Sequence, residues 1–283
     1  MLSLFIFIGE KIFRSYPKGE KTFKEWVPNE NSRKEYIGYC LIPDTSCQKA
    51  LILYGEGSNG KSTFLNVIRK LFAKDNLSNI PLSRLFGATK RWSVAKVKNK
   101  LVNISNDIDP KLIKDTGVIK AMISGQSLEA EEKYKASCEI LLCVRLILAA
   151  NRLPQAKDST NAWHRRFKIV KFPNTFNPLD DNFDNHLENK LLAELLGIFN
   201  WGIEGLRRLE SNDQFTISDP MKKAKKKYRQ VNDSVKAFYE DRISEASEEY
   251  IPKSDVHDVY KEYCQKSGLN HVSQNKFTSR LKE

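Results

Sequence analysis

The stretch "ALILYGEGSNGKSTFLNVI", residues 50–68, limits the possible fold more than any other part of the chain. Ala50 to Tyr54 form an apolar run of strand character, and a helix-like amphipathic run opens at Lys61-Ser62. Between them stand Gly55, Gly57 and Gly60. Together Gly55, Gly60, Lys61 and Ser62 satisfy the pattern G-x-x-x-x-G-K-[ST]. A glycine turn that happens to precede a lysine is the bland explanation. At background composition, however, the four fixed positions coincide in only about 1% of chains of this length. Strand before and helix after make the coincidence rarer. The pattern has a physical purpose: successive backbone N–H groups cradle a polyphosphate, the lysine reaches its outer phosphates, and the hydroxyl holds Mg²⁺. The helix adds its positive N-terminal end. Glycine is needed where a Cβ would block the backbone or forbid positive φ. The cofactors expected from this loop are ATP and Mg²⁺.

A phosphate loop needs an acid on a neighbouring strand to hold Mg²⁺ and orient the attacking water. "KLVNISNDID" offers Asp107 at the end of an apolar run, with Asp109 two residues on. An exposed turn after a strand would favour the same residues, so the loop beside it carries the argument. "RLILAANRLP" ends a further strand on Asn151, whose amide suits a γ-phosphate or its water. "STNAWHRRFKIVKFP" puts Arg165 and Arg166 directly before another strand. An arginine offered to a neighbouring subunit's γ-phosphate stabilises transition-state charge.

Short β-type runs at 50–54, 100–105, 145–150 and 167–172 alternate with helical ones, which predicts an α/β fold with a parallel sheet. The polar "SLEAEEKYKASCEI" between the second and third runs suits a hairpin. Residues 184–209 read as helix, with Leu187, Leu191, Leu195, Ile198 and Phe199 on one stripe. Ser218 is a candidate N-cap and Pro220 suits a first helical turn. Six of the nine residues from Met221 to Arg229 are basic, a run that reads equally as a solvated face or a DNA contact. Near the end, Ser254 and Ser273 can cap two short helices around Gly268. The first would turn Val256, Val259, Tyr260 and Tyr263 inward, and the second Phe277 and Leu281. This is a helix-turn-helix-like arrangement.

With 40% hydrophobic and 29% charged residues, the 283-residue chain reads as globular, and its net charge of +12 points to a polyanionic partner. The opening "MLSLFIFIG" is too short to span a bilayer and lacks the marks of a signal peptide. It reads as a buried segment or as the ragged start of something longer. Five cysteines without C-x-x-C spacing suit reduced thiols in a cytosol, and four scattered histidines suggest no structural metal. The expected division is an N-terminal, mostly helical segment (1–48), a nucleotide-binding core (49–215), and a basic linker helix with a small C-terminal domain (216–283).

The order of these parts resembles the superfamily 3 helicases, specifically the helicase half of poxvirus, phage and plasmid primase-helicases. "GEGSNGKST", "KLVNISNDID", "ISGQSLEAEEKYKA", "LILAANRLP" and "WHRRFKIVKFP" match the family's Walker A, Walker B, pre-sensor hairpin approach, sensor asparagine and arginine finger in order. The resemblance implies an AAA+-type P-loop core with a parallel central sheet and a C-terminal winged-helix-like domain, assembled as a homo-hexamer. Gly55, Gly57, Asn59, Gly60, Lys61, Ser62 and Thr63 would line the nucleotide, and Ser62 and Asp107 would hold Mg²⁺. Asn151 would be the sensor and Arg166 the finger, with Arg165 in reserve. Lys133, Tyr134 and Lys135 would grip single-stranded or forked DNA in the central channel. Asn106 stands before Asp107 where the family often has a second acid, so both Asp107 and Asp109 stay candidates for orienting the water. Nothing in the first 48 residues resembles a primase, so priming would fall to a primase or polymerase on another chain or to a missing part. The expected setting is the cytoplasm of a prokaryotic cell, with the chain encoded by a phage or plasmid. Two rival activities remain: a DNA-dependent ATPase that does not unwind, and an ATP-switched initiator that binds an origin.

Overall fold

The computed structural model describes residues 30–86, 90–106, 108, 113, 115–132, 134–156, 158–179, 183–244 and 251–281. In chain order the elements are α1 (Glu30–Cys40), β1 (Ala50–Tyr54), α2 (Lys61–Asn76), β2 (Leu77–Ser78), α3 (Lys90–Ala95), β3 (Val102–Ser105), α4 (Thr116–Ser124), β4 (Ser127–Ala130), β5 (Cys138–Leu141) and β6 (Arg145–Ala150). Then follow α5 (Asn161–His164), β7 (Phe167–Lys171), α6 (Leu187–Ala193), α7 (Leu195–Asn212), α8 (Asp219–Asn232), α9 (Ser234–Arg242), α10 (Lys253–Ser267) and α11 (Gln274–Arg280).

Five strands form a parallel sheet in the order β2-β3-β6-β1-β7. A parallel sheet is covered on both faces, so its strands need apolar residues at every position rather than at alternate ones. All residues of β1 and β6 are accordingly buried. Alternation still sorts the β1 side chains by face. Ala50, Ile52 and Tyr54 pack with Met122 of α4 and Trp163 of α5, while Leu51 and Leu53 pack with Phe64 of α2 and Trp201 of α7.

The second face is closed by α1 crossing α7 at close range. A Cβ on Gly205 would collide with the backbone of Lys34 and Glu35, and one on Gly38 with the backbone of Gly202 and Leu206. That proximity lets the fully buried Glu35 accept bonds from Arg208 Nε at 2.9 Å and the Thr216 N–H at 2.7 Å. Tyr36 donates its hydroxyl to the Leu146 carbonyl at 2.8 Å, tying α1 to the sheet.

Helix α8 leaves this body as the sequence suggests. Ser218 accepts from the Met221 N–H at 3.4 Å, with Pro220 in the first turn. Met221, Ala224 and Tyr228 face inward, and Trp163 Nε1 donates to the Tyr228 hydroxyl at 3.2 Å. Helices α9 to α11 share a small core of Val235, Phe238, Tyr260, Cys264 and Phe277, with Tyr260 stacked on Phe277 at 4.5 Å between centroids.

Two expectations for α10 need correction. The helix starts at Lys253 behind Pro252, and Ser254 bonds Asp255 instead of capping. Its inward residues are His257, Tyr260 and Cys264, whereas Val259 is 54% exposed. His257 is held there by a 3.0 Å bond between Nε2 and the Val272 carbonyl, which outweighs the apolar claim of Val259. Ser273 occupies the N-cap position of α11 but makes no side-chain cap bond. The long helical run at 184–209 is two helices divided at Glu194.

Gly205→Ala gains helix propensity but forces α1 and α7 apart. Overpacking of this kind costs about 1–3 kcal/mol, more than the ~1 kcal/mol a glycine-to-alanine change recovers. The variant should melt several degrees below the parent in a thermal scan; an unchanged or raised midpoint would show that the crossing is looser than described.

Candidate nucleotide site

The carboxyl ends of β1, β6 and β3 lie along one edge of the sheet, since Tyr54 pairs with Ala150 and Leu148 with Ser105. The glycine-rich loop leaves β1 at this edge. Gly55 donates to the Ala150 carbonyl at 3.3 Å, and Phe172 donates to the Tyr54 carbonyl at 2.8 Å. The loop is thus clamped between its two neighbouring strands. A Cβ on Gly55 would lie 2.5 Å from the Phe172 carbonyl oxygen, so only glycine fits. Gly60 turns the chain with φ +82 and is the N-cap of α2. Ser58 holds φ +47, and its carbonyl accepts from the Phe176 N–H at 2.7 Å.

No side chain caps α2, and its first turn carries no acid. Its leading N–H groups therefore remain available to an anion. Lys61 is buried and folded into the loop, donating to the Gly55 carbonyl at 2.5 Å and to Asn59 Oδ1 at 3.0 Å. Asn59 Nδ2 is buried with no hydrogen-bond partner. An uncapped helix start, a buried amide donor and a lysine that donates to a loop carbonyl and an amide oxygen form a donor set that suits a polyphosphate. Ser62 is exposed at the start of α2 and Thr63 is half-buried, while Gly57 stands open with φ +32. In the Mg²⁺ reading, the Ser62 hydroxyl is the ligand available among the described residues. Asp107 and Asp109 lie outside the described residues. Ile108 donates to the Ala149 carbonyl at 3.0 Å, which places that residue beside the end of β6.

The loop opens onto a cleft of about 1060 Å³. Asn151 lines it one residue beyond the Tyr54–Ala150 pair, on the same side as Gly55 and Asn59. Sequence reasoning missed the opposite wall. Lys227 and Val231 of α8, together with Gly268, Leu269 and Asn270 after α10, face the loop across the cleft. Asn270 Nδ2 donates to Gln155 Oε1 at 2.9 Å, and Asn232 Oδ1 accepts from the Ala156 N–H at 2.6 Å, which hold this wall to the sheet. Lys227 sits within the basic run, but composition gave no sign of which of its cations would face the cleft.

The paired arginines are elsewhere. Arg166 precedes β7, and its carbonyl accepts from the Ala50 N–H at 2.8 Å, at the opposite end of β1 from Gly55. At about 3.3 Å per residue the two points are about 15 Å apart. Arg166 bonds Ser124 Oγ at 3.1 Å and the Ala162 carbonyl, and Arg165 bonds Gln48 Oε1 at 3.2 Å. Within one chain the arginines and the loop do not meet. The expected hairpin forms, as antiparallel β4 and β5, and it rejoins the sheet at the amino end of β6, on the arginine side. Tyr134 at its tip is fully exposed with φ +64, and Lys135 is ion-paired with Glu132. Lys133 lies outside the described residues.

A five-stranded parallel sheet with helices on both faces and a glycine-rich loop at its carboxyl edge defines the class: an α/β protein of the open-sheet kind. Residues 53–166 match a model described as a family of unknown function (DUF5906), and residues 230–283 match one described as Poxvirus D5 protein-like. Among solved structures, the fold is similar to the A form apo structure of the NrS-1 C-terminal region, with a TM-score of 0.59, 17% identity, and coverage of 81% of this chain and 55% of that one. A second apo structure of that region gives 0.55 at 14% identity, covering 90% of this chain and 63% of that one. The chain spans little more than half of the first of these. No curated protein matches it. Among the described residues no helix is long and apolar enough to cross a membrane.

A lysine-to-phosphate bond is charge-assisted and worth about 1.5–3 kcal/mol. Lys61→Ala should therefore weaken binding of a fluorescent ATP analogue about 10–100-fold, with an unchanged circular dichroism spectrum. Equal affinity in the two proteins would remove the loop from nucleotide binding.

Proposed function

We propose that the chain is the motor part of an ATP-driven replicative DNA helicase of the superfamily 3 type. In this reading residues 49–215 are an AAA+ core, 216–283 are a linker helix and winged-helix-like domain, and the working form is a ring, a hexamer in this family. The observation that carries it is the separation of parts along β1. The glycine-rich loop and Asn151 occupy one edge of the sheet, and Arg165, Arg166 and the hairpin occupy the other. A site built this way is completed by a second copy that presents its arginine edge to the first copy's loop. Such head-to-tail contacts close into a ring when the rotation between successive copies closes. The D5-like segment at the C-terminus and the similarity to the NrS-1 C-terminal region support the same reading.

In the proposed site, Lys61 releases its loop carbonyl and turns to the outer phosphates, while the N–H groups opening α2 hold the phosphate chain. Bound Mg²⁺, held by Ser62 and Asp107, would neutralise charge on the phosphates. Asn151 orients the γ-phosphate or its water, with Asp107 or Asp109 as the acid. Arg166 from the neighbouring subunit stabilises the charge that develops during transfer, a role worth about 10³–10⁵ in rate. The hairpin carries Lys133, Tyr134 and Lys135 to a DNA strand, Lys135 exchanging Glu132 for phosphate. Priming would belong to another chain or another part, and the setting would be a prokaryotic cytoplasm that hosts a phage or plasmid. Turnover stimulated by single strands favours the motor over the rival initiator, in which ATP would be retained and duplex sites recognised.

Two tests follow from this division. Arg166→Ala should bind ATP normally and hydrolyse it about 10³-fold more slowly. Mixed with Lys61→Ala subunits, it should regain activity approaching about one quarter of the parent's, the share of interfaces that hold an intact loop and an intact finger in a ring of random order. No recovery at any ratio, in mixtures shown to exchange subunits, would contradict a shared site. For the hairpin, the Lys133→Ala/Lys135→Ala pair should make the salt dependence of single-strand affinity shallower by about 1.4, at 0.7 per phosphate contact. An unchanged slope would take the hairpin out of the DNA path.

A further inference from the structure

The cations of α8 are exposed except for the half-buried Lys225, but they are not spread evenly over the surface. They converge, with residues of two other elements, on a groove of about 600 Å³ between α5, α8 and α9. Lys222, Lys225, Lys226 and Arg229 line it from α8 and Lys236 from α9, while Asn161 and His164 line it from α5. These positions are distant in sequence, and only the fold brings them together. Asp233 and Glu240 are the acidic residues in the lining, and Asp233 is already engaged by the Lys236 N–H at 3.1 Å and Arg280 Nη1 at 3.4 Å. Lys222 pairs with Asp219 on the exposed rim.

This gathering opposes folding. Lys222 with Lys226, and Lys225 with Arg229, are like-charge pairs at helical i,i+4 spacing, which destabilise a helix. Burial and then Arg229 hold the Lys225 ammonium below its usual range, and the same two causes push the His164 imidazole down to about 4. The cationic surface continues towards the arginine edge of the sheet, where burial, Lys225 and Arg165 lower Lys49. A surface that concentrates repulsion in this way is relieved by a polyanion. The rows are spaced for a repeating one, since Lys222, Lys225–Lys226 and Arg229 fall on successive turns about 5.4 Å apart along the axis. The described lining contains no Phe, Tyr or Trp on which a base could stack, and its one imidazole, His164, is buried edge-on against Tyr228.

We infer that the groove between α5, α8 and α9 is a second nucleic-acid tract, separate from the hairpin, that holds the phosphodiester backbone without reading bases. Asn161, Ser159 and Gln230 supply the neutral hydrogen-bonding groups. The tract rests on the nucleic-acid reading above but not on ATP hydrolysis or on the hairpin. Binding there should be indifferent to sequence and steeply dependent on salt.

The test is a triple charge removal, Lys222→Gln/Lys226→Gln/Arg229→Gln, in the full chain without nucleotide. Affinity for a fluorescent 30-mer of deoxythymidine and for a 30-base-pair duplex is measured by anisotropy from 50 to 300 mM salt. The expected result is a salt slope shallower by about 2 on the single strand, or about 2.7 on the duplex, and at least tenfold weaker binding at low salt. The melting temperature should hold or rise, because repulsion has been removed. The Lys222→Arg/Lys226→Arg variant should keep the parental slope. An unchanged slope in the triple variant, while the hairpin pair still alters it, would overturn the tract and leave the helicase reading standing. No DNA affinity in the parent protein would overturn both. Equal competition by polyglutamate and oligonucleotide at matched charge would overturn the tract in favour of an acidic protein partner.

Discussion

The structure depends on how β1 ends. A strand flanked on both sides by parallel partners cannot drift at its carboxyl end, because Gly55 is bonded to Ala150 and Tyr54 to Phe172. The chain must turn at once, in a space where a Cβ on Gly55 would meet the Phe172 carbonyl. Gly57, Ser58 and Gly60 then take positive φ values, and α2 begins without a side-chain cap. The N–H groups that open α2 are left without a side-chain cap, next to the cleft that Gly55 and Asn59 line. The uncapped start of α2, the unpartnered Asn59 amide and the inward-folded Lys61 make this turn chemically suited to a phosphate.

The same strand sets the division of labour along the sheet. Each residue of β1 carries the chain about 3.3 Å from the arginine edge towards the loop edge. Arg166 therefore stands about 15 Å from Gly55, and pairing in register keeps it there. Helix α8 reaches both regions. Its buried Met221, Ala224 and Tyr228 fasten it to the core, Lys227 faces the cleft, and Lys225 and Arg229 face the cationic groove. A shift of this one helix would be felt in both the cleft and the groove.

Much of this was legible in the chain. The apolar runs of β1, β6 and β7 read as buried strands because a parallel sheet demands continuous hydrophobicity, and the polar 127–140 stretch could not be a core strand and became a hairpin. Local capping chemistry identified Ser218 and Gly268. Other features depend on contacts that sequence spacing does not encode. Val259 looked like a core residue, but His257 has the Val272 carbonyl to bond and takes the inward face. The role of Gly205 and Gly38 is set only by the crossing of α1 and α7, where a Cβ on either would meet backbone. The basic run gave the number of cations but not their directions, since Asn161, His164 and Lys236 join them only in three dimensions. The far wall of the cleft likewise needs the 267–270 turn to be folded back on the sheet.

The central claim is that one chain carries two halves of a shared site and uses them to move on DNA. It is tested most directly by the rate of ATP hydrolysis per subunit as protein concentration is raised, with and without single-stranded DNA. A shared site predicts a rate per subunit that climbs steeply as rings assemble and climbs at lower concentration when DNA is present. A rate per subunit that is flat across the range and indifferent to DNA would contradict the account.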